Sequence, residues 1–181
     1  MEQKSTHHHH HHRERYRPTG TLLTAHGHSV EPGHGATVTF IVQVEQGIKE
    51  DPDEFAAAVE DVLFDRRSWP GRFERIDHGP ADFHVVLASP ELTDQLCAPL
   101  ETAGIYSCFQ GQNSVLNDMR WKRGATAYGD DLKAYRIYMI NHEVGHALGH
   151  DHETCPTAGA RAPVMMQQTK GVSPCVPNPW P

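Results

Sequence analysis

The distribution of apolar and polar residues predicts strands and a long helix in the first half of the chain. Thr37–Val44 alternates β-branched and apolar residues, which indicates a strand, and Asp82–Ala88 is a second one. In Asp53–Arg66 apolar residues recur at helical spacing behind Pro52, and acidic residues crowd the first turn. Phe73–Ile76 is a shorter strand. We therefore expect an amphipathic helix packed on a sheet.

The second half of the chain predicts shorter elements and then one more long helix. The shorter elements are a helical turn and two strands: Ser89–Leu96, Ile105–Phe109 and Ser114–Met119. Asp130 or Asp131 can cap the long helix, which runs to about Gly149. Six prolines follow that point and exclude a long C-terminal helix.

Composition along the chain divides it into three regions. Residues 1–12 include six consecutive histidines and are interpreted as an expression tag. The polar, glycine-containing stretch 13–35 predicts a flexible N-terminal lead-in. The remaining 36–181 is long enough for one ordinary domain and too short for two.

Composition and charge exclude several classes of function. The net charge is −7 and no basic stripe is present, so neither nucleic acid nor an anionic membrane is an expected partner. No apolar run approaches the 18 residues or so that a membrane-spanning helix needs. With 38% hydrophobic and 22% charged residues, the composition is that of a globular domain, and we expect a monomer.

The four cysteines bear on the cellular compartment. Four thiols allow three pairings, of which proximity in sequence favours Cys97–Cys108 together with Cys155–Cys175. Neither pair has the short spacing of zinc ribbons, so the four cysteines are weak candidates for metal ligands. An even number of cysteines in a small, turn-rich domain favours disulfides and an oxidising compartment.

The candidate metal-binding and catalytic residues lie in Asn141–His152, whose sequence is NHEVGHALGHDH. His142 and His146 are four residues apart in a helical context, so both imidazoles project from one face and can bind one zinc ion. Glu143 follows the first of them, where a carboxylate can reach water at the metal without coordinating the ion.

A third ligand must come from beyond the helix. His150 is eight residues from His142, and on a continuing helix the two would lie roughly 12 Å apart. Gly149 can end the helix, because glycine accepts a positive φ. His152 then returns to the metal from the side, and Asp151 is the alternative ligand.

The complete pattern H-E-x-x-H-x-x-G-x-x-H resembles the extended zinc signature of the metzincin metallopeptidases. The resemblance implies an α+β fold of the minimal zincin type (α/β/α-like). It consists of a short mixed twisted sheet with an amphipathic backing helix and an active-site helix, which together form an upper subdomain (36–149). A small irregular C-terminal subdomain (150–181) follows and carries a methionine turn beneath the metal. Met165 is the better match for that methionine, and Met166 is the alternative.

The chain departs from the metzincin pattern at one position, and it also resembles a second, smaller family. Several metzincin families place a tyrosine two residues after the methionine, whereas Gln167 or Gln168 stands there in this chain. Four segments resemble a family of small actinobacterial domains that are secreted or membrane-tethered: the Leu-Cys-Ala-Pro-Leu stretch, NHEVGHALGH, APVM and the terminal PNPWP. That similarity implies an exported protein, tethered, if at all, through a segment outside this sequence.

The implied activity is that of a zinc-dependent endopeptidase. One catalytic Zn²⁺ would be held by His142, His146 and His152, with Glu143 as the general base and acid. A peptide or protein substrate would lie along an edge strand, either Ser114–Met119 or Ile105–Phe109. The alternatives are a non-catalytic zinc-binding interaction module and a hydrolase of a non-peptide amide, such as a cell-wall component.

A cluster of aromatic residues near the histidines has two interpretations. Tyr128, Tyr135 and Tyr138 precede the zinc motif, and one of them could donate a hydrogen bond to a transition state. Aromatic packing of the helix is the favoured interpretation. Trp180 either lines a pocket near the site or anchors the C-terminus.

Overall fold

The structure is a computed structural model that describes residues 16–181; the tag predicted for 1–12 and the first residues of the lead-in lie outside this part. Within it the chain forms seven strands and four α-helices. The strands are β1 (Leu22–Thr24), β2 (Ser29–Val30), β3 (Val38–Glu45), β4 (Phe73–Arg75), β5 (Phe83–Ala88), β6 (Cys108–Gln110) and β7 (Asn113–Asn117). The helices are α1 (Pro52–Leu63), α2 (Pro90–Cys97), α3 (Asp118–Arg123) and α4 (Leu132–Ala147).

All seven strands belong to one mixed sheet. Its order is β2-β4-β3-β5-β7-β6, with β1 paired to β3 outside this path. The pairs β3–β4, β3–β5 and β5–β7 are parallel, and β1–β3, β2–β4 and β6–β7 are antiparallel. A mixed sheet combined with four helices is an α+β fold, which confirms the predicted fold class.

Helices cover both faces of the sheet, as alternation along β5 shows. Val85 and Leu87 are buried in the main core with residues of α1 and α4. Val86 and Ala88 point to the opposite face and pack with Leu92 of α2. Successive residues of a strand point to opposite faces of the sheet, so β5 is buried on both faces. The sheet therefore lies between two helical layers.

Helix α1 begins where the sequence predicts it and buries its apolar stripe. The Asp51 carboxylate accepts hydrogen bonds from the backbone N–H groups of Asp53 and Glu54, which otherwise have no partner within the helix. Phe55 and Val59 are fully enclosed in the main core. Burial of each such side chain contributes about 1.5–3 kcal/mol, so the stripe fixes α1 against the sheet.

Two sequence-based predictions require correction. Leu22–Thr24 and Ser29–Val30, which the predicted lead-in of 13–35 included, form β1 and β2 of the sheet. Ser114–Met119 is not an edge strand, because β7 pairs with β5 on one side and β6 on the other. The strand ends at Asn117, whose side chain accepts a hydrogen bond from Met119 N–H and thereby caps α3.

The predicted disulfides Cys97–Cys108 and Cys155–Cys175 are both present. The first joins the end of α2 to the start of β6, and the second closes the irregular segment after α4. Two disulfides indicate an extracellular or otherwise oxidising location. No helix among residues 16–181 is long and apolar enough to cross a membrane.

The Cys155–Cys175 bridge is expected to stabilise the irregular C-terminal segment. A Cys155→Ser/Cys175→Ser double variant releases a loop with a sequence separation of 20 residues. In the chain-entropy account, closing such a loop stabilises the folded state by about 3 kcal/mol. We therefore expect urea titrations to show a free energy of unfolding that is lower by about this amount in the variant. An unchanged unfolding midpoint would show that the segment is held without the bridge.

Candidate metal centre

Helix α4 carries the first two histidines of the motif and ends where the chain must turn back. The Asp131 side chain accepts a 3.0 Å hydrogen bond from Ala134 N–H and caps the helix start. The helix ends at Ala147, and Gly149 has a φ of 97°, a conformation that favours glycine. This turn sends the following residues back along the helix.

The turn brings His152 to the face that carries His142 and His146. One ring nitrogen from each of the three lies within 4.8 Å of the others, and Nε2 of His146 is 3.0 Å from Nε2 of His152. Across residues 16–181 this is the one group of three or more His, Cys, Asp or Glu side chains close enough to hold a metal ion. The alternative ligand Asp151 is not part of it.

The rings of the two helical histidines are fixed by backbone carbonyls. Nδ1 of His142 lies 2.7 Å from the Val164 carbonyl oxygen, and Nδ1 of His146 lies 2.8 Å from that of His150. A carbonyl oxygen only accepts, so each Nδ1 carries the proton and each Nε2 keeps a lone pair. Carbonyl partners of this kind orient metal-binding histidines.

Burial keeps these imidazoles neutral. It lowers the pKa of buried His142 to about 3 and also lowers that of half-buried His146; partial desolvation and the nearby His146 lower the pKa of the more exposed His152. Neutral imidazole is the form that coordinates a cation, so the ring nitrogens are ready to bind a metal ion at neutral pH.

Glu143 is a buried carboxylate beside the histidines. Its Oε1 lies 3.9 Å from Nε2 of His142, and its Oε2 has no hydrogen-bond partner among the described residues. Burial raises the pKa of Glu143 to about 8, and a cation held by the three histidines would lower it again, so that the side chain would be an ionised carboxylate in the metal-bound site. The Ser114 hydroxyl donates to the backbone carbonyl of Glu143 at 2.9 Å and anchors this turn of α4 on β7. An orphaned buried oxygen beside three convergent imidazoles fits a metal ion with associated water.

Met165 packs directly against the helix that carries the histidines. Its side chain is 2% exposed and belongs to the main core, whereas Met166 is partly buried in a separate C-terminal cluster. A Cβ added to Gly145 would lie 2.5 Å from Met165 Sδ and 2.7 Å from Trp69 Cζ2. Gly145, at a variable position of the motif between Glu143 and His146, therefore permits a close approach that the motif itself does not indicate.

The three tyrosines attach α4 and the short helical turn Thr126–Tyr128 to the C-terminal segment. Their hydroxyls form the bonds Tyr128–Gln168 Oε1, Tyr135–Thr169 Oγ1 and Tyr138–Met166 O. Burial raises the pKa of each of them. Gln168 is fully buried and also donates to the carbonyls of Pro163 and Asn178. The tyrosines and Gln168 thus hold the segment that carries Met165.

A cavity of about 300 Å³ lies beside the histidines. Its lining includes Glu143, the three histidines, the aromatic rings of Tyr106 and Phe109 and the apolar side chain of Met139. Residues 98–107, which the Cys97–Cys108 disulfide closes into a loop, form one wall. Leu100 and Ile105 of this loop are 50% and 39% exposed. The site therefore combines a potential metal centre with a partly apolar recess.

Hydrogen bonds hold the 98–107 loop against the rest of the domain. The Asp94 carboxylate accepts from Gly104 N–H at 2.8 Å, and the Asn117 side chain donates to the Gly104 carbonyl at 3.1 Å. The Arg120 guanidinium donates to the Ile105 carbonyl at 2.9 Å. The cavity wall is thus tied to α2, β7 and α3.

The family comparison covers nearly the whole chain. The model of a family described as "Protein of unknown function (DUF3152)" matches residues 14–180. No curated protein matches the chain, and no solved structure does. The matched range includes all seven strands, all four helices and the histidine group. The chain belongs to the DUF3152 family.

Proposed function

We propose that this protein is a secreted, zinc-dependent endopeptidase of the metzincin type. One observation carries the proposal: three neutral imidazoles converge beside the orphaned, buried carboxylate of Glu143 at the edge of a cavity. The motif H-E-x-x-H-x-x-G-x-x-H and the position of Met165 under the helix support it. The two disulfides support the secreted location.

The donor set favours zinc over the other common metal ions. Three histidine ligands with no protein side chain in the fourth position are typical of catalytic zinc sites, whereas calcium and magnesium prefer oxygen ligands. A zinc ion bound by His142, His146 and His152 would supply a Lewis acid and would lower the pKa of water towards neutrality.

Glu143 performs the proton transfers in the proposed reaction. Its unpartnered Oε2 takes a proton from the attacking water, and the same carboxylate later delivers that proton to the leaving amine. The hydrogen bond from the Ser114 hydroxyl fixes the Glu143 backbone, and so the point from which its side chain extends to the cavity.

The substrate binds as an extended segment along β6. This strand pairs with β7 on one side only, and its Cys108 and Phe109 also line the cavity. Main-chain hydrogen bonds to such an edge align a peptide without regard to its side chains. The apolar lining of the cavity then selects a large apolar side chain next to the scissile bond.

Peptide-library cleavage with mass-spectrometric detection tests this function. We expect zinc-loaded protein to cut peptides next to large apolar residues and chelator-treated protein to cut none, with activity restored on return of zinc. One bound zinc per chain without cleavage would overturn the endopeptidase assignment. It would leave a hydrolase of a non-peptide amide or a zinc-binding module.

A further inference from the structure

We propose that Trp69 is a positioning residue for the metal centre and acts mainly through the ring orientation of His146. Trp69 lies in the loop after α1, outside the histidine motif, and does not line the cavity described above. Three separate contacts join it to the segment that carries the ligands. The inference rests on the proposed function only in that the histidines bind a metal ion.

The first contact fixes α4 just before its first ligand. The indole Nε1–H of Trp69 donates to the Asn141 carbonyl at 2.8 Å. The Asn141 side chain is itself held on both sides: it accepts from the Ser68 hydroxyl at 2.8 Å and donates to the Pro179 carbonyl at 3.0 Å. The helix therefore cannot rotate at this turn without breaking one buried and two partly buried hydrogen bonds.

The second contact reaches His146 through the turn that ends the helix. The Trp69 ring stacks on the His150 ring, with centroids 4.2 Å apart and planes inclined by 17°. The His150 carbonyl in turn accepts the Nδ1–H of His146. The stack thus holds the residue whose carbonyl sets the direction of the His146 Nε2 lone pair.

The third contact lies between the two helical ligands. Trp69 Cζ2 would be 2.7 Å from a Cβ on Gly145, so the edge of the indole touches the helix backbone next to His146. A smaller side chain at position 69 would leave a void at this point and allow the helix to shift.

Substitutions on both sides of the stack test the proposal through zinc affinity. We expect Trp69→Leu to weaken zinc binding about tenfold or more, as for other groups that orient metal ligands, and His150→Ala to have a similar effect. His150→Phe keeps an aromatic ring and should bind zinc within about threefold of the parent. Affinity is measured by competition with a chromophoric chelator.

A matched control separates positioning from general destabilisation. Val59→Ala removes methyl groups from a fully buried residue of α1, so it lowers stability without touching the turn at His150. Its zinc affinity should equal that of the parent. Long-range ¹H–¹⁵N correlation spectra of metal-free protein should show His146 protonated at Nδ1 in the parent and in Val59→Ala. In His150→Ala and Trp69→Leu the two tautomers should be mixed.

The outcomes distinguish this inference from the proposed function. A parent protein that binds no zinc overturns the metal centre and the inference together. A parent that binds zinc, with His150→Ala and a folded Trp69→Leu both within twofold of its affinity and with unchanged tautomers, overturns the role of Trp69 alone. His150 is exposed, so its variants report on the stack even if Trp69→Leu fails to fold.

Discussion

Glu143→Gln is expected to bind zinc like the parent protein and to cleave peptides about 10²–10⁴ times more slowly. The amide has nearly the same shape as the carboxylate, so the helix and the three histidines stay in place. It cannot take a proton from water at neutral pH, however, and the unpartnered Oε2 is the atom to which we assign that step. Cleavage rate and zinc stoichiometry are measured on the same preparation.

Glu153→Gln is the matched control for this variant. It makes the same chemical change in an exposed carboxylate one residue after His152 and should cleave at the parental rate. Cleavage by Glu143→Gln within tenfold of the parent would refute the general-base assignment. Loss of zinc from the variant would instead assign the carboxylate a role in holding the metal.

Gly145→Ala is expected to destabilise the protein although alanine favours helices. The gain in helix propensity is about 1 kcal/mol. This gain is opposed by steric overlap, because the new Cβ would lie 2.5 Å from Met165 Sδ and 2.7 Å from the Trp69 ring. Overpacking costs about 1–3 kcal/mol. Because a hydrogen bond and a ring stack hold Trp69 in place, it cannot move away from the new Cβ, and we expect a cost at the upper end of this range or above it. We expect a net loss of about 2 kcal/mol and weaker zinc binding.

Denaturant unfolding of metal-free protein measures this effect. In the double variant Gly145→Ala/Met165→Ala the loss should be smaller than the sum of the two single losses, because the shortened side chain makes room for the Cβ. A Gly145→Ala protein more stable than the parent would mean that helix propensity dominates and that the contact with Met165 is loose.

The parts of the fold that sequence predicts well are those with strong local patterns. Helix α1 was expected at Asp53–Arg66 and spans Pro52–Leu63, since its cap and its apolar periodicity are both local. The histidine group was predictable for the same reason, because helical spacing and one glycine turn place all three rings. β1 and β2 have three and two residues, too few to show alternation, and were included in a loop instead.

The contacts that sequence could not reveal are long-range. Trp69 meets Asn141 across 72 residues of chain, and Tyr128 meets Gln168 across 40. No spacing rule connects such pairs, since they form only when the sheet has brought their loops together. The same holds for the edge of the sheet, because whether β6 or β7 is outermost depends on strand order and not on the composition of either strand.

The loop closed by Cys97–Cys108 has a consequence for the thermodynamics of substrate binding. Its disulfide and its hydrogen bonds to Asp94, Asn117 and Arg120 order one wall of the cavity during folding. A peptide that arrives there need not restrict the backbone of the loop, so less conformational entropy is lost on binding. Reduction of the Cys97–Cys108 bridge should therefore make the entropy of substrate binding less favourable and weaken binding, while the three histidines still hold their metal ion.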